Sequence, residues 1–242
     1  MNIVLDFGNS LLKVGTFYKR KLTAYEVFKV FDRDEIDRLI KENQIESGII
    51  SSVVSIPGSD IEFLRKKLKY FVELSEKIQL PITIKYSTPE TLGKDRLAGA
   101  VGGEYIFPGK NLLIIDAGTC IKFDFVNNRK QYIGGAISPG ISIRFLALNK
   151  FTDKLPLIEP DYISIPGLIG NSTEESILSG IINGVGAEVN GIIRKYEKIY
   201  PDLKVILSGG DSEFISKFVE REFVIEPDLV LKGLNLILEY NR

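Results

Sequence analysis

Two short stretches of this chain repeat each other 110 residues apart. Asn2-Ile-Val-Leu runs into Asp6-Phe7-Gly8-Asn9-Ser10, and Asn111-Leu-Leu-Ile-Ile runs into Asp116-Ala117-Gly118-Thr119-Cys120. In each, an apolar run of strand length ends in Asp-x-Gly, and a second apolar run follows, from Leu11 to Phe17 and from Ile121 to Val126. Apolar runs bounded by Asp and Gly read as buried strands turning at a hairpin. A chain that opens the same way twice is a duplicated unit. Its boundary is expected near Pro108-Gly109-Lys110, giving halves 1–108 and 109–242.

Each half continues alike. In the first, Thr23–Lys29 reads as a third strand, Ile36, Leu39 and Ile40 mark a helical face, and Ser47–Val53 is strand-like. Ser59 and Glu62 have capping-box spacing before a helix with apolar positions Ile61, Leu64, Leu68 and Phe71. Ile82–Lys85 is expected to close the sheet, and Lys94–Tyr105 to be helical. In the second half, Gln131–Ile137 is the third strand and Gly140–Leu148 a helix. Ser172 and Glu175 cap a long helix reaching about Tyr196. Leu203–Leu207 reads as a strand, Ser212–Glu220 as a helix, Phe223–Ile225 as a strand and Leu229–Tyr240 as a helix. Three strands, then alternating helices and strands, twice over, is the pattern of the duplicated ribonuclease-H-like, or actin-like, fold: two α/β halves with a cleft between them.

The chemistry open to such a chain is narrowed by what it lacks. It has no histidine and one cysteine, Cys120. That removes Ser–His and Cys–His dyads and makes zinc a poor fit, so a general base must be Asp, Glu, Lys, Tyr or water. A hard cation held by oxygen remains open. Lys and Arg total 31 against 32 for Asp and Glu, which gives no basic excess for nucleic acid or a membrane surface. No signal-like N-terminus and no apolar run of spanning length is read, and the single cysteine suits a reducing cytoplasm.

Several motifs could carry chemistry. The Asp6-x-Gly8-Asn9-Ser10 turn can expose backbone N–H groups to phosphate oxygens, and Asp6 at a strand end can bind Mg²⁺ directly or through water. Alone it also suits a plain hairpin; its second copy at Asp116 turns the balance toward a triphosphate gripped from both sides. Thr119 adds a hydroxyl donor, whereas Lys122 reads as a solvated face residue. Gly93-Lys94-Asp95-Arg96 opens a helix, where Arg96 can grip an anion and Asp95 can serve as a base. Gly134-Gly-Ala-Ile-Ser-Pro-Gly140 is either a structural turn or a lip that a side chain would obstruct. Thr173 and Asn171 are spare beside the Ser172 cap. Ser208-Gly-Gly-Asp211 is either an ordinary strand–helix loop or, as in actin-like ATPases, a wall for adenosine. Gly180, Gly184, Gly186 and Gly191 within one helix each cost roughly 1 kcal/mol against alanine, which close approach of another helix, in this chain or a second subunit, would offset.

In order, Asp6-Phe-Gly-Asn-Ser10, Gly93-Lys-Asp-Arg96, Asp116-Ala-Gly-Thr119, Gly134-Gly-Ala-Ile-Ser-Pro-Gly140 and the motif at Thr173 resemble the motifs of type III pantothenate kinases, actin-like enzymes of coenzyme A synthesis. Ser10 stands where that family has Thr, and Cys120 where Ala is usual. The resemblance implies ATP contacts from Asp6, Phe7, Gly8, Asn9, Ser10, Leu11, Leu12, Lys13 and Thr119. It implies pantothenate contacts from Tyr86, Gly93, Lys94, Asp95, Arg96 and Thr173, with Asp95 the proton acceptor. It places a monovalent cation, K⁺ or NH₄⁺, at Asp116, and implies a cytoplasmic homodimer. Another small-molecule kinase, or a nucleotide-binding accessory or regulatory protein on the same scaffold, stays open on the residues alone.

Overall fold

Apolar runs with no polar face have to be covered on both sides, and the strands Asn2–Phe7 (β1) and Leu12–Tyr18 (β2) are buried along nearly their whole length. The computed structural model describes residues 1–8, 11–75 and 77–242; the predicted ATP contacts Asn9 and Ser10 lie outside the described residues. β1 and β2 pair antiparallel, with Asp6 opposite Lys13. Lys21–Phe28 (β3) lies antiparallel to β2. After helix Arg33–Glu42 (α1), strand Ser47–Ser52 (β4) returns parallel to β1, and after helix Gly58–Lys67 (α2), strand Tyr70–Glu73 (β5) returns parallel to β4. The sheet order is β3-β2-β1-β4-β5. Ile3, Leu5, Leu12 and Val14 pack against Ile36, Leu39 and Ile40 of α1 and Leu64 of α2.

The chain goes on through Thr83–Ile84 (β6), Lys94–Ile106 (α3), Leu112–Ala117 (β7), Cys120–Asn127 (β8), Gln131–Pro139 (β9), Ile141–Lys150 (α4), Thr173–Ile199 (α5), Lys204–Ser208 (β10), Ser212–Ser216 (α6), Val224–Ile225 (β11) and Leu229–Tyr240 (α7). The six-stranded sheet here has the order β11-β10-β7-β8-β9-β6, so that, β6 apart, its strands follow β9-β8-β7-β10-β11. That is the plan of the first sheet over again, with β7 antiparallel to β8 and parallel to β10. The core of this half sets Leu113, Ile115, Phe123 and Val205 against Ile182, Val185 and Val189 of α5.

By its contacts the chain divides into two compact units: Met1–Pro108 with Arg129–Ile133 and Asp228–Arg242, and Gly109–Asn128 with Gly134–Pro227. A single division at 108/109 assigns α7 to the second half. In the structure α7 packs on α3 and β1 of the first. The reason is backbone proximity: a β-carbon at Gly233 would fall 1.8 Å from the Ala98 carbonyl oxygen, and one at Gly102 would fall 2.8 Å from that of Leu229. The buried Asn2 amide also donates to Asn235 Oδ1 at 2.8 Å.

Four local expectations differ from the structure. Ser59 and Glu62 form no capping box: Pro57 is the N-cap of α2, and the Ser59 hydroxyl accepts from Arg33 at 2.6 Å instead. Phe71 belongs to β5, not to the α2 face. β6 does not close the first sheet; it runs parallel to the start of β9, with Thr83 opposite Gln131. α5 is long and apolar enough to span a membrane by length and composition, contrary to the sequence reading, and half of that apolar stretch is buried inside the second unit. By contrast, Ser172 does cap α5, accepting from the Glu175 N–H at 3.2 Å, while Glu175 returns to the Asn171 N–H at 2.9 Å.

Candidate active site

In the first unit, β1 delivers Asp6 to its C-terminal end, where the residue is 8 % exposed. The turn that follows begins with the Gly8 N–H donating to the Leu11 carbonyl at 3.0 Å. Leu11 is exposed and Leu12 buried. The Phe7 ring stacks on Phe31, 6.0 Å between centroids, so the side chain serves the core and leaves only its backbone for a ligand.

The start of α3 brings together four residues that the sequence singled out. Gly93 is the N-cap and Lys94 the first helical residue. Asp95 Oδ1 accepts from the Arg96 N–H at 2.9 Å. A β-carbon at Gly93 would stand 2.6 Å from that same Oδ1. The glycine therefore makes room for the carboxylate beside it. Arg96 is buried, and its guanidinium carbon lies 5.9 Å from the ring centroids of both Tyr86 and Tyr132. Those rings meet edge to face, 6.0 Å apart. A buried guanidinium against two aromatic faces is fixed in direction and offers a planar fork to an anion or amide. Tyr132, fully buried on β9, was not singled out from the sequence; the signal lay in the pairing of β6 with β9, which sets Tyr86 beside it.

In the second unit, Asp116 is the next-to-last residue of β7, and Thr119 is exposed in the turn. Gly140 sits on this turn, donating its N–H to Thr119 O at 3.0 Å; a β-carbon there would fall 2.0 Å from Gly118 O. A β-carbon at Gly135 would likewise lie 1.7 Å from Phe123 O. What these glycines admit is neighbouring backbone, so the structural reading of the Gly-rich segment holds. Gly209 adopts φ +87°, and a β-carbon there would lie 2.2 Å from Ala117 O and 2.5 Å from Asp116 Oδ1. Only glycine satisfies both the backbone sign and the space. Asp211 follows, its N–H donating to Ala117 O at 3.0 Å, and burial pushes its carboxyl upward in pKa. Thr173 opens α5 and lines a groove of about 980 Å³ with Arg144, Asn171, Ser176, Ile177 and Gly180. Arg144, missed in the sequence, donates to Pro139 O at 2.9 Å and pairs with Glu188.

Lys122 corrects the sequence reading of a solvated residue. It lies directly opposite Asp116 across the β7–β8 hairpin, and its ammonium is 2.6 Å from Asp116 Oδ2, with side-chain exposures of 18 % and 17 %. Hairpin symmetry about Thr119 could have revealed it. A monovalent cation on that carboxylate would meet this ammonium. At ~4 Å, and an effective dielectric near 20, two unit positive charges repel by about 4 kcal/mol. The donor set does not fit a resident K⁺. Among the described residues no group of three or more acidic or cysteine side chains gathers to hold a metal.

A family model for type III pantothenate kinase matches residues 2–195. The chain belongs to the type III pantothenate kinase family. A type III pantothenate kinase of Christiangramia forsetii is 44 % identical over 244 residues, spanning 100 % of this chain and 99 % of the relative. One of Phocaeicola vulgatus is 40 % identical over 243 residues, again spanning 100 % and 99 %. Among solved structures, a Campylobacter jejuni protein described as a Baf family transcriptional activator superposes with TM-score 0.64 at 19 % identity, covering 99 % of this chain and 98 % of that one. An inorganic polyphosphate/ATP-glucomannokinase from Arthrobacter gives 0.52 at 15 %, covering 99 % and 98 %. These likenesses establish the duplicated actin-like α/β fold, and the sequence relatives establish the family.

Proposed function

We propose that, in the ATP-dependent phosphorylation of pantothenate that its family carries out, this chain uses Asp95 as the base that accepts the proton of the attacking primary hydroxyl. The observation that carries the reading is the cluster at the start of α3, where Gly93 leaves room for the Asp95 carboxylate and the Arg96 guanidinium lies against Tyr86 and Tyr132. Arg96, Lys94 and Tyr86 bind and orient pantothenate, and the resemblance adds Thr173 as a further substrate contact. The turns after Asp6 and Asp116 hold ATP, through Gly8 to Lys13 and Thr119. Mg²⁺ suits Asp6, since this ion is commonly held by one or two carboxylates together with substrate phosphates and needs no all-protein cage. Its chemistry would be to neutralise phosphate charge. Phosphoryl transfer demands mainly positioning and charge stabilisation, which such an assembly supplies without histidine.

The resemblance also places K⁺ or NH₄⁺ at Asp116; the Lys122 ion pair supports a different reading, argued below. A homodimer through α5 accounts for Gly180, Gly184 and Gly191, whose absent β-carbons have nothing within 4 Å among the described residues, whereas Gly186 meets Phe218. Exposed Ile163, Leu168 and Ile169 add an apolar fringe. A cytoplasmic setting follows from the substrates. The decisive test is incubation with ATP, Mg²⁺ and pantothenate beside a panel of sugars, reading phosphorylated product by mass. Phosphopantothenate alone is expected; a phosphorylated sugar without phosphopantothenate would end this reading.

A further inference from the structure

The Asp116 carboxylate already holds a cation that belongs to the chain. Lys122 is its direct register partner on the neighbouring strand, so both side chains leave the same face of the sheet. Their charged atoms meet at 2.6 Å, and both are largely withdrawn from solvent. The second oxygen of the carboxylate faces the space that Gly209 keeps open. We propose that the Lys122 ammonium is a tethered replacement for the monovalent cation, making this kinase independent of K⁺. The inference rests on the reading of the Asp116 turn as a phosphate-binding element.

The chemistry is matched. An alkylammonium carries the same single positive charge as K⁺ or NH₄⁺, and at this carboxylate it needs no recruitment from solution. A side chain fixed in a sheet is pre-organised for the phosphate charge that develops during transfer. A carboxylate already neutralised in this way has little left to attract a second monocation, which the ammonium itself repels. Lys122 is a positioning and charge-stabilising residue in this scheme; no proton moves to or from it.

The test is a K⁺ titration of the whole enzyme, with sodium-free and potassium-free ATP and choline chloride holding ionic strength constant. Wild-type turnover is expected to change by less than about twofold, whereas Lys122→Met loses about tenfold or more without K⁺ and recovers as K⁺ or NH₄⁺ is added. Melting temperature gives a second readout that needs no turnover: K⁺ should raise that of Lys122→Met and leave the wild type unmoved, because only the variant has a vacant carboxylate to bind it. Wild-type activation by K⁺ of about tenfold or more, or a K⁺-dependent rise in wild-type melting temperature, would overturn the proposal. The wild-type arms decide it even where the variant does not fold. Absence of turnover in every salt would count against the reaction itself, while the wild-type melting arm still judges Lys122.

Discussion

Gly93 leaves open the space into which Asp95 turns its carboxylate: a β-carbon on the first would lie 2.6 Å from Oδ1 of the second. Gly93→Ala should therefore push the carboxylate aside while α3 stays intact. A shift of order 1 Å in a catalytic group can cost about 10²-fold. We expect kcat to fall by about that factor, with a melting temperature close to wild type. Unchanged kcat would mean that the position of Asp95 does not matter.

Arg96 and its two tyrosines predict a split between kinetic constants. Arg96→Lys keeps the charge but loses the planar fork and the stacking. Tyr132→Leu keeps Arg96 but removes one face that fixes it. Both should raise KM for pantothenate by about tenfold, corresponding to ~1.4 kcal/mol of lost binding, with KM for ATP nearly unchanged. Initial-rate measurements varying each substrate in turn would show it, and equal effects on both constants would remove Arg96 from the pantothenate side.

Asp211 predicts a pH-dependent stability. Burial raises its folded-state pKa above the unfolded value. Its contribution is therefore fully present below the unfolded pKa and is lost as pH rises through the folded pKa. Asp211→Asn, which stays neutral, should melt higher than wild type at neutral pH, and the gap should close in acid. The gain should be small, because the group keeps partial contact with solvent. A variant less stable at neutral pH would show instead that the ionised carboxylate holds a partner.

The proposed homodimer puts Gly184 at its interface. Gly180, Gly184 and Gly191 recur on one side of α5 with nothing among the described residues within 4 Å of where their β-carbons would be. Gly184→Leu should weaken dimerisation by about fivefold to a hundredfold, the effect of roughly 1–3 kcal/mol of overpacking. Sedimentation over a concentration series reads this directly. A variant that dimerises as tightly as wild type would place the interface elsewhere.

The repeat at Asp6 and Asp116 was legible because a strand ending in Asp-x-Gly is local, and five strands of each sheet are built on it in the same order. The α5 cap was legible for the same reason. Tyr132 was not singled out and Lys122 was read as solvated, since each acquires its role through a strand pairing: β6 with β9 sets Tyr86 beside Tyr132, and β7 with β8 sets Lys122 opposite Asp116. The placement of α7 escaped as well, because it depends on Gly233 meeting Ala98 across 135 residues of chain (233 − 98). Glycines in the Gly-rich segment looked equally suited to a ligand and to backbone; only coordinates show Gly135 against Phe123 and Gly140 against the Thr119 turn.

The most direct measurement is the rate of phosphopantothenate formation by Asp95→Asn beside wild type, at saturating ATP and pantothenate. Removing a general base typically costs ~10²–10⁴-fold, and that loss of kcat, with an unchanged melting temperature, is the predicted result. A variant that turns over at the wild-type rate would contradict the assignment of Asp95 as the proton acceptor.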